Sequence, residues 1–258
     1  MPVRGRLLQT QISYGTTIGG SPLDSAVEFT FPDKQKFDFY TEGNLRINDA
    51  ATDLAVKAVG HRVTSGRSVV LVTGCGAANG ATMVAVNLAV SLAQSGYTTL
   101  LVDADMRTRS KHRNRAGAGL YDYLRGAAGF EDVVGETGIQ FLSYAPGGNG
   151  VENPALLLCS GRMGIFLARA KKAYDFVILD CPPVTVLPDA GAMFADADGI
   201  ALVCALHRTT RRQLAMAKAA AAPYGDKYYG LVVNDAEPRQ YRKLFPERDY
   251  YRKKKPDK

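Results

Sequence analysis

Three short stretches of the chain concentrate residues able to hold phosphate and a divalent cation. The first is Leu71-Val72-Thr73-Gly74-Cys75-Gly76-Ala77-Ala78-Asn79-Gly80-Ala81-Thr82, an apolar run that breaks into glycines and resumes as a helical pattern. Turns of the form G-x-x-x-x-G-K-[ST] cradle phosphates with backbone N–H groups and a helix N-terminus, while the lysine reaches the outer phosphates and the hydroxyl holds magnesium. Gly80 and Thr82 fit that form, Cys75 stands at the first glycine, and Ala81 stands at the lysine. The other stretches are Leu101-Val102-Asp103-Ala104-Asp105-Met106-Arg107 and Ile178-Leu179-Asp180-Cys181-Pro182-Pro183, both apolar runs ending in carboxylates. Magnesium prefers oxygen ligands and is usually held by one or two carboxylates together with phosphates. A lone acid at a strand end is more often a helix cap, and a glycine-rich turn is often ligand-free. Thr82, Asp103 and Asp180 together are the candidate metal ligands, and Gly74, Gly76, Gly80, Ala81 and Thr82 the candidate phosphate cradle.

These residues can meet only if strands deliver them to one edge. Short apolar, β-rich runs at 68–72, 98–102, 140–143, 176–179, 199–204 and 230–233 alternate with helical patterns near 82–95, 121–125, 153–174 and 210–222. Runs that are apolar on both faces and separated by helices predict an α/β fold, a mostly parallel sheet flanked by helices, with ligands at the carboxyl ends of the strands. Gly96 is expected to close the first of these helices. Residues 1–40 mix Gly, Ser, Thr and Pro with isolated hydrophobes and are expected to form an extended or partly disordered arm. Residues 41–238 are the expected α/β domain, and 239–258 a basic, tyrosine-containing tail.

Charge and cysteine usage narrow the class. Of the formal charge of +7, the segment 239–258 supplies nearly all, with nine Lys or Arg against three acids. The rest is close to neutral, so the basicity marks a tail and gives no sign of a nucleic-acid partner. Cys75, Cys159, Cys181 and Cys204 lack metal-ligand spacing, lie in or beside apolar runs, and are expected to behave as small hydrophobes. No stretch approaches the roughly 18 to 20 apolar residues of a membrane span, and no signal pattern opens the chain, so a cytoplasmic protein is expected.

Taken in order, the three stretches resemble those of the bacterial tyrosine autokinases of capsular and exopolysaccharide synthesis, the BY-kinases of CpsD/CapB type. That family lies within the MinD/ParA-like branch of P-loop ATPases. The resemblance runs from about residue 40 to 236 and includes Gly119-Leu120-Tyr121-Asp122-Tyr123-Leu124-Arg125-Gly126, Asn153-Pro154-Ala155-Leu156-Leu157, His207-Arg208-Thr209-Thr210 and Gly230-Leu231-Val232-Val233-Asn234-Asp235. It implies a P-loop NTPase-like three-layer sandwich, ATP or ADP with magnesium as cofactor, and transfer of phosphate from ATP to tyrosine. Asp103 and Asp105 then become the catalytic acidic motif that positions magnesium and the incoming tyrosine hydroxyl, and Asp180 the second magnesium-side carboxylate. Asn234 takes a position that reads adenine in the wider branch, or is a turn residue after a strand. Arg107 is expected near the phosphates or a subunit contact.

The implied partner is a membrane-embedded polysaccharide chain-length protein whose cytoplasmic end activates the kinase. Tyr241, Tyr250 and Tyr251 are the candidate phosphoacceptors, in a tail that otherwise suits solvent or the anionic inner membrane surface. Self-association is also implied, but of the signature Glu-x-x-Arg-x-x-Arg only Arg46 remains, with Tyr40 and Gly43 at the other places. The larger departure is in the loop. The family has Pro-Gly-Glu-Gly-Lys-Ser/Thr where this chain has Ala77-Ala78-Asn79-Gly80-Ala81-Thr82, and no lysine occurs between Lys57 and Lys111. Phosphoryl transfer depends on positioning and charge neutralisation, so a weakened or inactive kinase serving as a regulator is expected. An active kinase completed by a partner, a ParA/MinD-like ATPase and a ligand-free scaffold are the alternatives.

Overall fold

The computed structural model describes residues 26–30, 36–40, 45–66, 69–107, 118–148 and 153–234. Seven strands form one sheet: β3 (Val69–Gly74), β4 (Thr99–Asp103), β5 (Gly135–Glu136), β6 (Leu142–Ala145), β7 (Phe176–Cys181), β8 (Gly199–Ala205) and β9 (Tyr228–Asn234), in the order β5-β6-β4-β7-β3-β8-β9. All neighbours are parallel except β5, which runs antiparallel to β6. β1 (Ala26–Thr30) and β2 (Lys36–Tyr40) make a separate antiparallel hairpin within the span expected to be an arm. Its alternation, Lys36-Phe37-Asp38-Phe39-Tyr40, is a period-2 signal that the Gly- and Pro-rich surroundings obscured.

The central strands are apolar throughout because both faces are covered. In β3, Val69 and Leu71 join one apolar cluster and Val70 and Val72 the other. One layer holds α1 (Leu45–Ser65) and α2 (Ala81–Gln94), through Leu54, Ala58, Val84, Leu88 and Leu92. The opposite layer holds α3 (Leu120–Arg125), α4 (Phe130–Val133), α5 (Pro154–Leu158), α6 (Gly161–Ala173), α7 (Asp189–Met193) and α8 (Arg211–Ala221), with Phe166, Phe130, Met163 and Phe194 in its core. The expected three-layer α/β sandwich is therefore the observed fold.

Two local features differ from expectation. The single helix expected over 153–174 is two: α5 stops at Cys159, and α6 restarts after Ser160, whose backbone is extended at ψ 154. Ser is a favoured N-cap residue, and here it sits inside a run whose apolar spacing continues through it. The break leaves Cys159 exposed rather than packed as a small hydrophobe. Gly96, at φ +87, closes α2 as expected. No helix among the described residues is long and apolar enough to cross a membrane.

Candidate functional site

The loop 74–82 leaves the carboxyl end of β3, which lies between β7 and β8. Gly80 takes φ +82 and precedes α2, whose first residue is Ala81; no side chain caps the helix and no acid lies in its first turn. The first amides of a helix have no partner within it, so this end presents donors and a positive dipole to whatever enters the loop. A Cβ at Gly80 would come 2.1 Å from Asn234 Nδ2, so the close approach of β9 to the turn depends on glycine. Ala78 takes φ +54 where the family loop has Gly, a left-handed conformation that costs an L-residue about 1–2 kcal/mol.

The surrounding loops hold this turn from two sides. Val184 N–H donates to Gly74 O at 3.1 Å, and Thr185 Oγ1 donates to Cys75 O at 2.8 Å. From the other side, Cys75 N–H donates to Val203 O at 2.7 Å and Thr209 Oγ1 donates to Asn79 Oδ1 at 3.1 Å. Asn234 Nδ2 donates to Asn79 O at 3.0 Å, while Asn234 Oδ1 is buried without a hydrogen-bond partner. Asn79 is 3% exposed, so its side chain closes the floor of the loop instead of facing solvent.

The carboxylates meet opposite the start of α2. Asp103 and Asp180 are register partners at the ends of β4 and β7, Ala104 N–H donates to Asp180 O at 2.9 Å, and Asp105 N–H donates to Asp103 Oδ1 at 2.9 Å. Gly147 makes room for Asp103, since a Cβ there would lie 3.3 Å from the carboxylate carbon. Burial, with the Asp103 charge second, holds the Asp180 carboxyl well above the usual carboxylate range; a Thr82 side-chain hydrogen bond opposes this and Asp105 adds to it. Among the described residues no group of three or more His, Cys, Asp or Glu is arranged to hold a metal ion.

The raised Asp180 pKa has a signed consequence for the metal-free protein. The native state holds this proton more tightly than the unfolded chain, so stability falls as pH rises above the ordinary value of 3.8. Asp180→Asn is expected to melt higher than the native protein at neutral pH, with the difference shrinking in acid. A lower melting temperature for the variant at neutral pH would contradict that sign.

Gly74, Gly76, Gly80, Ala81, Thr82, Asp103, Asp105, Asp180 and Asn234 thus gather at one end of the sheet. Arg107 lies beside them, within reach of the Asp105 charge. Its guanidinium makes a two-pronged ion pair with Asp189, Nε to Oδ2 at 2.6 Å and Nη2 to Oδ1 at 3.0 Å, and Asp189 is fully buried. The first turn of α7 holds Arg107, and the Asp105 charge also acts on it. The bond to Asp189 raises the Arg107 pKa, against the effect of burial. Asn79, Asp189 and Thr209 were not foreseen; only Pro188-Asp189 carried a signal, an acid in a first helical turn. Cys75, Cys181 and Cys204 line one apolar cluster, and burial pushes Cys75 up to about 12 with Cys204 adding to it, which keeps the loop thiol protonated. Tyr241, Tyr250, Tyr251 and Gly43 lie outside the described residues.

A mostly parallel sheet with a glycine-rich turn after an interior strand, a following helix and carboxylates at two nearby strand ends defines a P-loop-type α/β protein. The chain belongs, within that class, to the bacterial tyrosine kinase family. A family model described as AAA domain matches residues 73–208, more than half of the chain. Tyrosine-protein kinase CpsD of Streptococcus agalactiae is 32% identical over 170 residues, covering 64% of this chain and 74% of that one. Tyrosine-protein kinase YwqD of Bacillus subtilis is 34% identical over 171 residues, 65% and 72% of the two chains. The solved BceF tyrosine kinase domain superposes with a TM-score of 0.64 at 31% identity, covering 73% of this chain and 75% of that domain.

Proposed function

We propose that this chain binds ADP or ATP with magnesium but transfers phosphate weakly or not at all. On this reading it acts in the cytoplasm, in capsular or exopolysaccharide synthesis, as a regulator of a membrane-embedded polysaccharide chain-length protein. The observation that carries the reading is a kept cradle with a lost cation: Gly80 at φ +82 opens an uncapped α2, and Ala81 occupies its first position. Two features favour a nucleotide over an empty turn. Gly80 lets Asn234 approach the turn, since a Cβ there would strike Asn234 Nδ2, and Asn234 Oδ1 is a buried acceptor without a donor, an atom that the exocyclic amino group of a base would satisfy.

In this reading the α2 amides orient the phosphates, and Thr82, Asp103 and Asp180 hold the magnesium. Asp105 stands beside Asp103 to orient a tyrosine hydroxyl. Bound nucleotide would supply the transferable phosphoryl group. Without a lysine at position 81, charge developing on that group meets no loop cation, and losing even one neutral donor at such a place costs about 10²–10³ in rate. Self-association and contact of the basic tail with the inner membrane surface belong to the same reading, as do Tyr241, Tyr250 and Tyr251 as phosphoacceptors in any residual reaction.

The test pairs binding with transfer. Calorimetric titration with magnesium-ADP is expected to register binding, while the same preparation with magnesium-ATP yields phosphotyrosine at background. Phosphotyrosine that forms only when the cytoplasmic segment of the partner is added would replace this reading with a partner-completed kinase.

A further inference from the structure

We infer that the outer face of α8 is a docking surface for an anionic lipid bilayer. The inference adds a surface of the folded domain to the tail contact proposed above, and its own residues decide it. α8 reads Arg211-Arg212-Gln213-Leu214-Ala215-Met216-Ala217-Lys218-Ala219-Ala220-Ala221, without an acid. Helical spacing sorts these residues into faces. Ala217 and Ala221 are buried, with Leu214 and Ala220 packed beside them, and that stripe joins the helix to the apolar cluster. Arg211, Ala215 and Lys218 follow one another along the other side, with Arg212, Met216 and Ala219 in the adjoining row, and all six are exposed.

Charge and burial set this face apart from an ordinary solvated one. Arg211 and Arg212 stand in the first turn, where positive charge opposes the helix dipole, and that turn holds no acid to offset them. No side-chain hydrogen bond or ion pair holds Arg211, Arg212 or Lys218 among the described residues. Exposed cations elsewhere are paired, Arg169 with Glu131 and Lys171 with Asp198. Met216, beside Arg212, keeps 45% of its surface exposed. Cations flanking small residues and one apolar side chain suit a bilayer, where arginines meet lipid phosphates and the methionine enters the headgroup boundary. A polyanion in water would use the arginines and leave Met216 unburied.

The rest of the chain's positive charge begins next to this face. β9 ends at Asn234, whose carbonyl accepts from Leu206 N–H at 2.8 Å in the turn that leads into α8. The sequence that follows holds nine Lys or Arg against three acids over residues 239–258. Two basic elements rooted together engage one anionic surface at a high effective concentration, so each strengthens the other.

The test is co-sedimentation of the full chain with phosphatidylcholine vesicles that contain or lack phosphatidylserine. The native chain is expected to bind the anionic vesicles. Arg211→Gln combined with Arg212→Gln is expected to weaken that binding about 30-fold, each basic side chain near such a surface contributing about fivefold. The same variant should melt no lower than the native chain, because it removes charge that opposes the dipole. Arg211→Lys with Arg212→Lys is expected to keep most of the affinity, and Lys172→Gln, which removes an exposed cation from α6, to keep all of it. Met216→Ser is expected to weaken binding as well, a loss that purely electrostatic adsorption would not show. Unchanged binding in the double Gln variant or in Met216→Ser, or an equal loss in Lys172→Gln, would overturn the inference and leave the tail contact standing. No binding by the native chain would remove both. Capture of soluble polyglutamate that depends on Arg211 and Arg212, with none of vesicles, would assign the face to an acidic protein segment instead.

Discussion

Ala81→Lys is expected to tighten magnesium-ADP binding about tenfold or more and to raise phosphate transfer to tyrosine by about 10²–10³. The backbone that would present the new side chain is already in place. Position 81 opens α2, directly after a glycine in the left-handed conformation, and the Asp103, Asp105 and Asp180 carboxylates stand at the strand ends nearby. A lysine stem can lie along the half-buried rim of the loop while its ammonium turns toward the phosphates. The gain in rate should exceed the gain in affinity, because a cation next to the transferred group is worth more as charge develops than in the ground state. A variant that binds more tightly but transfers no faster would show that the carboxylates, too, have lost their working positions.

Asp189→Ala is expected to lower stability by about 3 kcal/mol, the low end of the range for breaking a buried ion pair, because Arg107 keeps 23% of its side chain exposed. For a chain of this size that is a fall of about 6–12 °C in melting temperature. The damage would extend beyond the fold: the segment after β4 that carries Asp105 and Arg107 is fastened to α7 by this pair. Magnesium-dependent nucleotide binding should therefore weaken in the same variant. Asp189→Asn keeps an acceptor for the guanidinium and should lose less in both measurements; equal losses for the two variants would remove the charge from the explanation. Melting curves and titrations on the same preparations separate the two effects.

The sheet was legible because its strands obey a simple rule. Leu71, Val72, Leu101, Val102, Ile178 and Leu179 are apolar on both faces, a pattern that buried parallel strands require and that little else in a chain of this length produces. The meeting of the candidate site residues was legible for a related reason: Gly80 and Thr82 keep a fixed spacing from the end of β3, and Asp103 and Asp180 each end an apolar run. Contacts between loops far apart in sequence were not legible. Arg107 to Asp189 and Asn79 to Thr209 join residues 82 and 130 positions apart, and no local periodicity encodes such a pairing. The split of α5 from α6 was missed because the apolar spacing runs on through Cys159 and Ser160. The hairpin of β1 and β2 was missed because turn-forming residues on either side hid two short alternations.

The loop before α2 is expected to hold a nucleotide although its lysine is gone. Calorimetric titration of the native chain with ADP, with and without magnesium, tests it most directly. Saturable binding that weakens when magnesium is withdrawn is the predicted result. Absence of binding at millimolar ADP both in the native chain and in Ala81→Lys would contradict it, and would leave the protein as a kinase fold retained for its surfaces alone.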